Sequence, residues 1–335
     1  MQRFRPVADT EGMTPPRQIH PGQLCFLTVR AVNRCYRFAP TRRALQIIWY
    51  CFACTLHKYR ERIEAHEFLW MSNHYHLVVT DVAGCLPRFM EELNSLLARA
   101  LNALTGMQGT AIEKGYNLVE VSTEGKLVDH CVYTLANPCS AHLVKRSRHW
   151  KGVTSLLLEY GERIVIKRPQ CGLWSSVCRH IHRRASQESK RARFGGRSKL
   201  PQEVELVLTR PAIMPEFSDR QLRRHIRDRL VEREQSLIDE RRTRRIRVTG
   251  WAAARRVDIR SAPDTSEERF GTVPSFSADT RSARVTAWRR RECFLRHYYA
   301  ALRRFLGGDH EVAFPMGTWL MKARFGVRCC PVPET

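Results

Sequence analysis

The sequence contains no run of about 18 apolar residues, so it predicts no transmembrane helix. Its first 20 residues also lack an apolar stretch, and residues 1–22 are therefore expected to form a flexible lead-in rather than a secretory signal. No internal repeat and no low-complexity segment is recognisable. These absences favour an ordinary globular protein without a membrane partner.

Acidic residues are scarce, with 33 Asp and Glu against 57 Lys and Arg, for a formal net charge of +24. Such an excess predicts a polyanionic partner. Nucleic acid is favoured over an anionic membrane surface, because basic residues recur throughout the chain and no segment has the pattern of a membrane-surface helix. The 335 residues, 43% of them hydrophobic, suffice for one large domain or two ordinary ones.

Paired cysteines at zinc-finger spacing are also missing. The 12 cysteines are scattered, and the C-x-x-C formed by Cys51 and Cys54 lies in an apolar helical pattern without a second pair. Buried thiols in a reducing cytosol are the favoured interpretation, and a zinc site is the alternative.

The first half of the chain alternates between strand and helix patterns. Strands are predicted at residues 23–32, 63–71, 74–81 and 117–122, and helices at residues 41–60, 86–104 and 127–136. The order β-α-β-β-α-β, followed by a helix, is that of the ferredoxin-like fold, an antiparallel sheet with helices on one face. The sequence therefore predicts an α+β domain over residues 23–152.

Residues 153–335 predict a basic extension of mixed α and β structure. Strands are expected within residues 156–167 and 204–209, a basic stretch at 179–199, an arginine-rich helix at 218–248, a loop at 261–280 and an amphipathic helix at 283–306. The apolar stripe of the last helix includes Trp288 and Tyr298, for which core packing is favoured over base stacking. The unbalanced arginines predict binding to the nucleic-acid backbone, so deletion after Gly152 is expected to weaken that binding.

Two histidines stand at the start of a predicted strand. Ser72 and Asn73 separate two β-prone runs and predict a tight turn, after which His74 and His76 project from one face of the strand. Two neighbouring imidazoles are well suited to hold one divalent metal ion. The alternative is a pair of half-exposed histidines without a ligand.

A candidate nucleophile and a third candidate ligand occur on the helix predicted at 127–136. Tyr133 can attack phosphorus and form a covalent phosphotyrosine, and Asn137 shares its face if the helix persists four residues further. Nitrogen and oxygen ligands suit Mg²⁺ or Mn²⁺. The alternatives are a half-buried structural tyrosine and, before Pro138, a simple helix stop.

Two motifs resemble those of a known family. The segment S-N-H-Y-H-L-V-V at residues 72–79 resembles the histidine–hydrophobe–histidine motif of the HUH endonuclease superfamily, and most closely that of the REP-associated tyrosine transposases. The segment Y-T-L-A-N-P-C-S-A-H-L-V at 133–144 is similar to that family's Y-I-x-x-N-P-V-x-A-G-L-V. The resemblance covers residues 23–152, and the V-A-F-P-M-G-T segment at 312–318 resembles a longer branch with a C-terminal extension.

This resemblance implies a ferredoxin-like catalytic domain that nicks single-stranded DNA near hairpin repeats, leaving a 5′-phosphotyrosine and a free 3′-hydroxyl. By position, His74 and His76 match the metal histidines, Tyr133 matches the nucleophile, and Asn137 stands where related enzymes have a polar ligand. The resemblance further implies a bacterial protein of the cytoplasm, associated with the nucleoid, and allows for a homodimer.

The chain departs from the family pattern at four positions, none of which is a predicted site residue. They are Ser72 for proline, His142 for glycine, and Cys139 and Ser140 for valine and its neighbour. Two other functions therefore stay open. One is a non-catalytic, domesticated DNA- or RNA-binding protein that retains the fold, and the other is a metal hydrolase in which water attacks and Tyr133 is structural.

Overall fold

The computed structural model describes residues 15–170, Trp174, Val177, 200–264 and 275–331. Three parts of the predictions lie outside these residues, namely positions 1–14 of the lead-in, the whole basic stretch at 179–199, and 265–274 of the predicted loop. Within the described ranges, no helix combines the length and apolar character needed to cross a bilayer.

The chain divides into two compact units. The larger unit is Pro21–Ala283, and the smaller one consists of the described parts of Met1–His20 and Arg284–Thr335. The boundary predicted at residue 152 therefore lies inside the larger unit.

The larger unit is built on a five-stranded sheet. Its strands are β1 (Gln23–Arg30), β2 (Ile63–Trp70), β3 (His74–Asp81), β4 (Asn117–Val121) and β7 (Phe276–Ser277). Their order across the sheet is β2-β3-β1-β4-β7. The first four pair antiparallel, as predicted, but β7 pairs parallel to β4. The α+β prediction is confirmed, whereas the sheet as a whole is mixed because two residues of the predicted 261–280 loop add a fifth, short strand.

Seven helices lie in the part of the chain that the structure describes. They are α1 (Arg42–Lys58), α2 (Leu86–Thr105), α3 (Glu124–Ser140), α4 (Asp219–Thr243), α5 (Trp251–Ala254), α6 (Arg281–Leu306) and α7 (Trp319–Phe325). The ends of the first two follow local chemistry. The Thr41 hydroxyl accepts a hydrogen bond from Ala44 N at 3.3 Å at the start of α1. Gly106 ends α2 with a left-handed φ of 66°.

Helix α3 is longer than predicted, because it continues through Pro138 to Ser140. Proline disfavours a helical conformation in the residue before it, but here the amides that follow Pro138 still donate hydrogen bonds to carbonyls of the last turn. Ala141 N donates to Asn137 O at 2.9 Å, and Leu143 N donates to Pro138 O at 3.0 Å. Asn137 therefore stays helical, and it lies on the same face of α3 as Tyr133.

The two faces of the sheet carry different helices. On one face, Tyr75 donates a hydrogen bond to Asn94 of α2, and Phe52 of α1 packs 5.1 Å from Trp70 between ring centroids. On the opposite face, α3 lies over His76. Helices α1 and α2 thus share one face of the sheet, as predicted, and α3, the helix that follows the sheet, lies over the other face.

Much of the predicted extension belongs to the core of the larger unit. Strands β5 (Arg163–Lys167) and β6 (Glu203–Val207) form an antiparallel pair, and α4 has a buried apolar stripe. Its stripe residues are Leu222, Ile226, Leu230 and Leu237. The buried Arg223 side chain on the same helix forms an ion pair with Glu67 of β2. The chain beyond residue 152 therefore helps to hold the sheet.

The smaller unit packs around α6. Phe294, Tyr298 and Phe314 form its apolar core, and Ile19 joins this unit through a 3.0 Å hydrogen bond from its N to Gly317 O. Trp288 is 53% exposed, so its predicted place in the buried stripe is wrong. The buried stripe instead runs through the neighbouring Ala287, about 100° away around the helix.

Candidate functional site

Three neighbouring strands align polar side chains on the face of the sheet that α3 covers. In the strand register, His76 of β3 lies opposite Thr28 of β1, and Thr28 lies opposite Asn117 of β4. Two residues further along each strand, His74 lies opposite Arg30. Because side chains two residues apart share a face, these five side chains form one polar patch.

The two histidines project together, as their spacing predicts. Their ring centroids are 4.9 Å apart and the planes meet at 76°. His74 Nδ1 lies 2.8 Å from Asn73 Oδ1, and His76 Nδ1 lies 3.0 Å from Thr28 Oγ1. A hydrogen bond at Nδ1 orients each imidazole and favours the tautomer whose lone pair lies on Nε2.

The environment keeps the His76 imidazole neutral. Burial lowers the pKa of His76 well below 6.5, and the nearby charges of His74, Arg30 and His130 lower it further. Because metal ions bind the unprotonated nitrogen, a low pKa keeps this side chain able to act as a ligand in mild acid.

Helix α3 brings Tyr133 and Asn137 over the same histidine. The Tyr133 ring is 5.3 Å from that of His76 between centroids and is 49% exposed. Asn137 is buried, with Nδ2 3.2 Å from His76 Nε2. All four predicted site residues therefore lie together within one chain, with the phenol accessible and the carboxamide enclosed.

Tyr133 separates two cavities. One, of about 190 Å³, is lined by Phe26, Thr28, Arg30, His74, His76, Asn117, Val119 and Tyr133. The other, of about 370 Å³, lies where α3 faces α4 and is lined by charged side chains of both signs, namely Asp129, Arg229, Glu232 and Arg233. Tyr133 therefore borders a cavity on the histidine side and a second one of mixed charge.

Phe26 and His130 contribute to this region without having been predicted. The Phe26 ring stacks near-parallel on His76 at 5.3 Å and on His130 at 4.5 Å. Burial lowers the pKa of His130 to about 4, and no hydrogen-bond partner of its Nε2 occurs among the described residues. The sequence offers a signal for His130, which precedes Tyr133 by three residues and so lies next to it on α3, whereas the place of Phe26 depends on the register of β1.

Two imidazole nitrogens and one carboxamide form a donor set that fits a divalent ion. In the described ranges, no group of three or more His, Cys, Asp or Glu side chains could hold a metal, and the side chain that adjoins His76 from α3 is the Asn137 amide. Rotation of the Asn137 amide by half a turn exchanges its oxygen and nitrogen, and the carbonyl oxygen then faces His76. Such a set leaves other coordination positions for water or phosphate oxygens.

The cysteine prediction concerns a different part of the larger unit. Cys51 and Cys54 are both buried on α1. Burial raises the pKa of the Cys54 thiol, which disfavours the thiolate that zinc requires.

No protein-family model matches the chain, and a comparison with curated proteins finds no match either. Among solved structures, the chain is similar to a REP-associated tyrosine transposase bound to a REP hairpin. That similarity amounts to 16% identity and a TM-score of 0.33, and it covers 46% of this chain and 82% of the other.

Proposed function

We propose that the protein is a metal-dependent, single-tyrosine DNA endonuclease of the transposase type. The observation that carries the proposal is the meeting of Tyr133 and Asn137 from α3 with His76 from β3, on one face of the sheet. The motifs that contain these residues resemble those of the REP-associated tyrosine transposases. The strand order β2-β3-β1-β4, antiparallel throughout, agrees with the ferredoxin-like core that this resemblance implies.

Tyr133 is the proposed nucleophile. Its oxygen forms a bond to phosphorus while the bond from phosphorus to the 3′ oxygen breaks, and the 5′ side stays attached as phosphotyrosine. The phenol proton is lost to water, and the departing oxygen takes up a proton to become the free 3′-hydroxyl. The half-exposed position of Tyr133 supports this role, because an incoming strand needs access to the phenol.

His74, His76 and Asn137 are the proposed metal ligands, with Mg²⁺ or Mn²⁺ as the ion. When bound, such an ion neutralises charge on the phosphate oxygens as the bond breaks. Thr28 and Asn73 orient the imidazoles through their Nδ1 hydrogen bonds, while Arg30 adds a positive charge beside the phosphate.

The proposed substrate is single-stranded DNA next to a hairpin repeat. The net charge of +24 supports a nucleic-acid partner. The preference for hairpin repeats comes from the family resemblance alone.

The test is formation of a covalent adduct. The wild-type protein is incubated with Mg²⁺ or Mn²⁺ and a single-stranded hairpin substrate that carries its label either at the 5′ end or at the 3′ end. The 5′ label leaves with the strand that ends in the free 3′-hydroxyl. An SDS-resistant protein–DNA band should therefore appear with the 3′-labelled substrate only. Tyr133→Phe should abolish that band, whereas the control Tyr299→Phe should leave it unchanged. An adduct that persists in Tyr133→Phe overturns the assigned nucleophile, and cleavage without any adduct favours attack by water.

A second candidate is a non-catalytic DNA- or RNA-binding protein that retains this fold. The direct contact between Asn137 Nδ2 and His76 Nε2 favours it, because that hydrogen bond occupies the nitrogen that a metal requires. This function predicts salt-sensitive nucleic-acid binding that is unchanged in a His74→Ala, His76→Ala variant, together with no cleavage by the wild type.

A further inference from the structure

Helix α6 combines an exposed indole with a dense positive charge. Its 26 residues include eight arginines and one acidic residue, Glu292. Of residues 284–291, which belong to the smaller unit, six are exposed. Trp288 stands in the middle of this segment and is 53% exposed. A large apolar ring exposed among guanidinium groups is complementary to a partner that offers both an apolar surface and negative charge.

The helical spacing puts positive charge on both sides of the indole. Arg284 precedes Trp288 by four residues and Arg291 follows it by three, so both lie next to it on the helix surface. Val285, three residues before it, is also exposed, and Glu292, four residues after it, is the single acidic neighbour on that side. Arg289 and Arg290 add further charge around the same turn. The segment spans about 12 Å along the helix axis.

We propose that residues 284–291 form a second nucleic-acid site, in which Trp288 stacks on an unpaired base and the flanking arginines contact the backbone phosphates. Single-stranded nucleic acid presents an accessible ring face beside a charged backbone, and aromatic stacking combined with cationic contacts is the usual mode of binding it. The proposal rests on the nucleic-acid partner proposed above, but it does not depend on the chemistry of Tyr133.

The same helix is poorly suited to a membrane surface. A helix that lies on a bilayer directs its whole apolar face into the lipid. In α6 that face is already used, since Phe294, Tyr298 and Ala301 are buried in the core of the smaller unit. Within residues 284–291, the large apolar side chains that remain exposed are one indole and one valine, which suit a single base better than a lipid layer.

The test is equilibrium binding of the full chain to a fluorescein-labelled oligodeoxythymidine of about 12 nucleotides, measured by anisotropy in EDTA. This probe forms no hairpin, and without metal no cleavage is expected, so the result is independent of the adduct assay. Trp288→Ala should raise Kd about tenfold, and Trp288→Phe, which retains a stacking ring, should stay within about threefold of wild type. Arg284→Ala should lower the slope of log Kd against log salt by about 0.7.

Leu306→Ala, at the exposed far end of the same helix, is the matched control and should bind like the wild type. A Trp288→Ala protein that binds within about twofold of wild type overturns the proposal. Equal affinity for the corresponding double-stranded oligonucleotide overturns base stacking. The surface is assigned to membranes instead if the protein binds phosphatidylserine vesicles as tightly as it binds the oligodeoxythymidine, and if Trp288→Ala and Arg284→Ala abolish that vesicle binding.

Discussion

Asn137 and His76 lie 61 residues apart in sequence, yet their side chains meet at 3.2 Å between Nδ2 and Nε2. The contact joins the last turn of α3 to the central strand β3 and closes the inner end of the candidate site. It exists because α3 continues past the point where proline was expected to end it. The other ring nitrogen of His76, Nδ1, is contacted from β1 by Thr28, so the orientation of this imidazole depends on both neighbours.

The first prediction concerns Thr28, whose hydroxyl lies 3.0 Å from His76 Nδ1. Thr28→Val keeps the shape of the side chain but removes the oxygen that orients the imidazole, so we expect Mn²⁺ affinity to fall by roughly 10- to 100-fold. Thr28→Ser restores the hydroxyl and should bind Mn²⁺ nearly as well as wild type. The measurement is a titration followed by the electron paramagnetic resonance of free Mn²⁺. Equal Mn²⁺ affinities of the wild-type and Thr28→Val proteins would contradict the role of the Thr28 hydroxyl in orienting His76.

Local patterns were sufficient to predict the framework of the site. Alternation along 74–81 predicts that His74 and His76 share a face, and the i, i+4 spacing predicts that Tyr133 and Asn137 do so. Thr28 could not be predicted in the same way. Its contact joins two residues that are 48 positions apart in sequence, and it depends on the register between β1 and β3, which tertiary packing determines.

The chain beyond residue 152 was harder to predict because some of its arginines are buried and structural while others face solvent. Arg223 and Arg241 are buried, and Arg241 donates to Cys139 O at 2.9 Å and to Lys145 O at 3.0 Å. A sequence pattern that counts arginines does not separate such structural side chains from those that face solvent. Trp288 shows the opposite case, an apolar side chain that is exposed although it was predicted to be buried. Ala287 and Trp288 are adjacent apolar residues, and the helical pattern alone does not show which of the two will be covered by the rest of the protein.

The second prediction concerns the ion pair between Arg223 and Glu67, whose side chains are 1% and 0% exposed. Arg223→Met leaves the carboxylate buried without its partner, and we expect the free energy of unfolding to fall by about 3–5 kcal/mol. The neighbouring Arg224→Met is the control, because Arg224 is exposed and its substitution should cost less than about 0.5 kcal/mol. Urea denaturation measures both.

A double variant, Glu67→Met with Arg223→Met, separates the unpaired charge from lost packing. It should be more stable than Arg223→Met alone, because no charge is left buried. A double variant that is less stable than either single one would contradict this account. The same pair explains why deletion after Gly152 is a poor test of DNA binding: it would remove Arg223 and destabilise the sheet itself.

The third prediction concerns His142, which stands where the family motif has glycine. Its φ of 55° is in the left-handed region, where a side chain is disfavoured by about 1–2 kcal/mol. His142→Gly should therefore raise the free energy of unfolding by roughly 1 kcal/mol, offset in part by the greater freedom of glycine in the unfolded chain. Chemical denaturation provides the measurement. His149→Gly, at an exposed position with ordinary backbone geometry, should not stabilise the protein, and a loss of stability in His142→Gly would show that its imidazole is needed.

The last prediction concerns pH and the buried His66. Its Nδ1 donates to Thr209 O at 2.7 Å, so its Nε2 must accept from the Thr80 hydroxyl at 2.8 Å. Burial lowers the pKa of His66 from 6.5 to about 4, an effect that the hydrogen bond to Thr209 opposes only in part.

Between these two pKa values the unfolded chain binds a proton at this position and the folded chain does not. Stability therefore falls as pH falls below 6.5, and lowering the pH from 6.5 to 5 should cost roughly 1.5 kcal/mol through this side chain. In His66→Gln, which cannot take up the proton, the decrease measured by urea denaturation should be smaller by that amount. His149→Gln, at an exposed position, should keep the wild-type decrease, and a His66→Gln protein that does the same would show that His66 is not the group responsible.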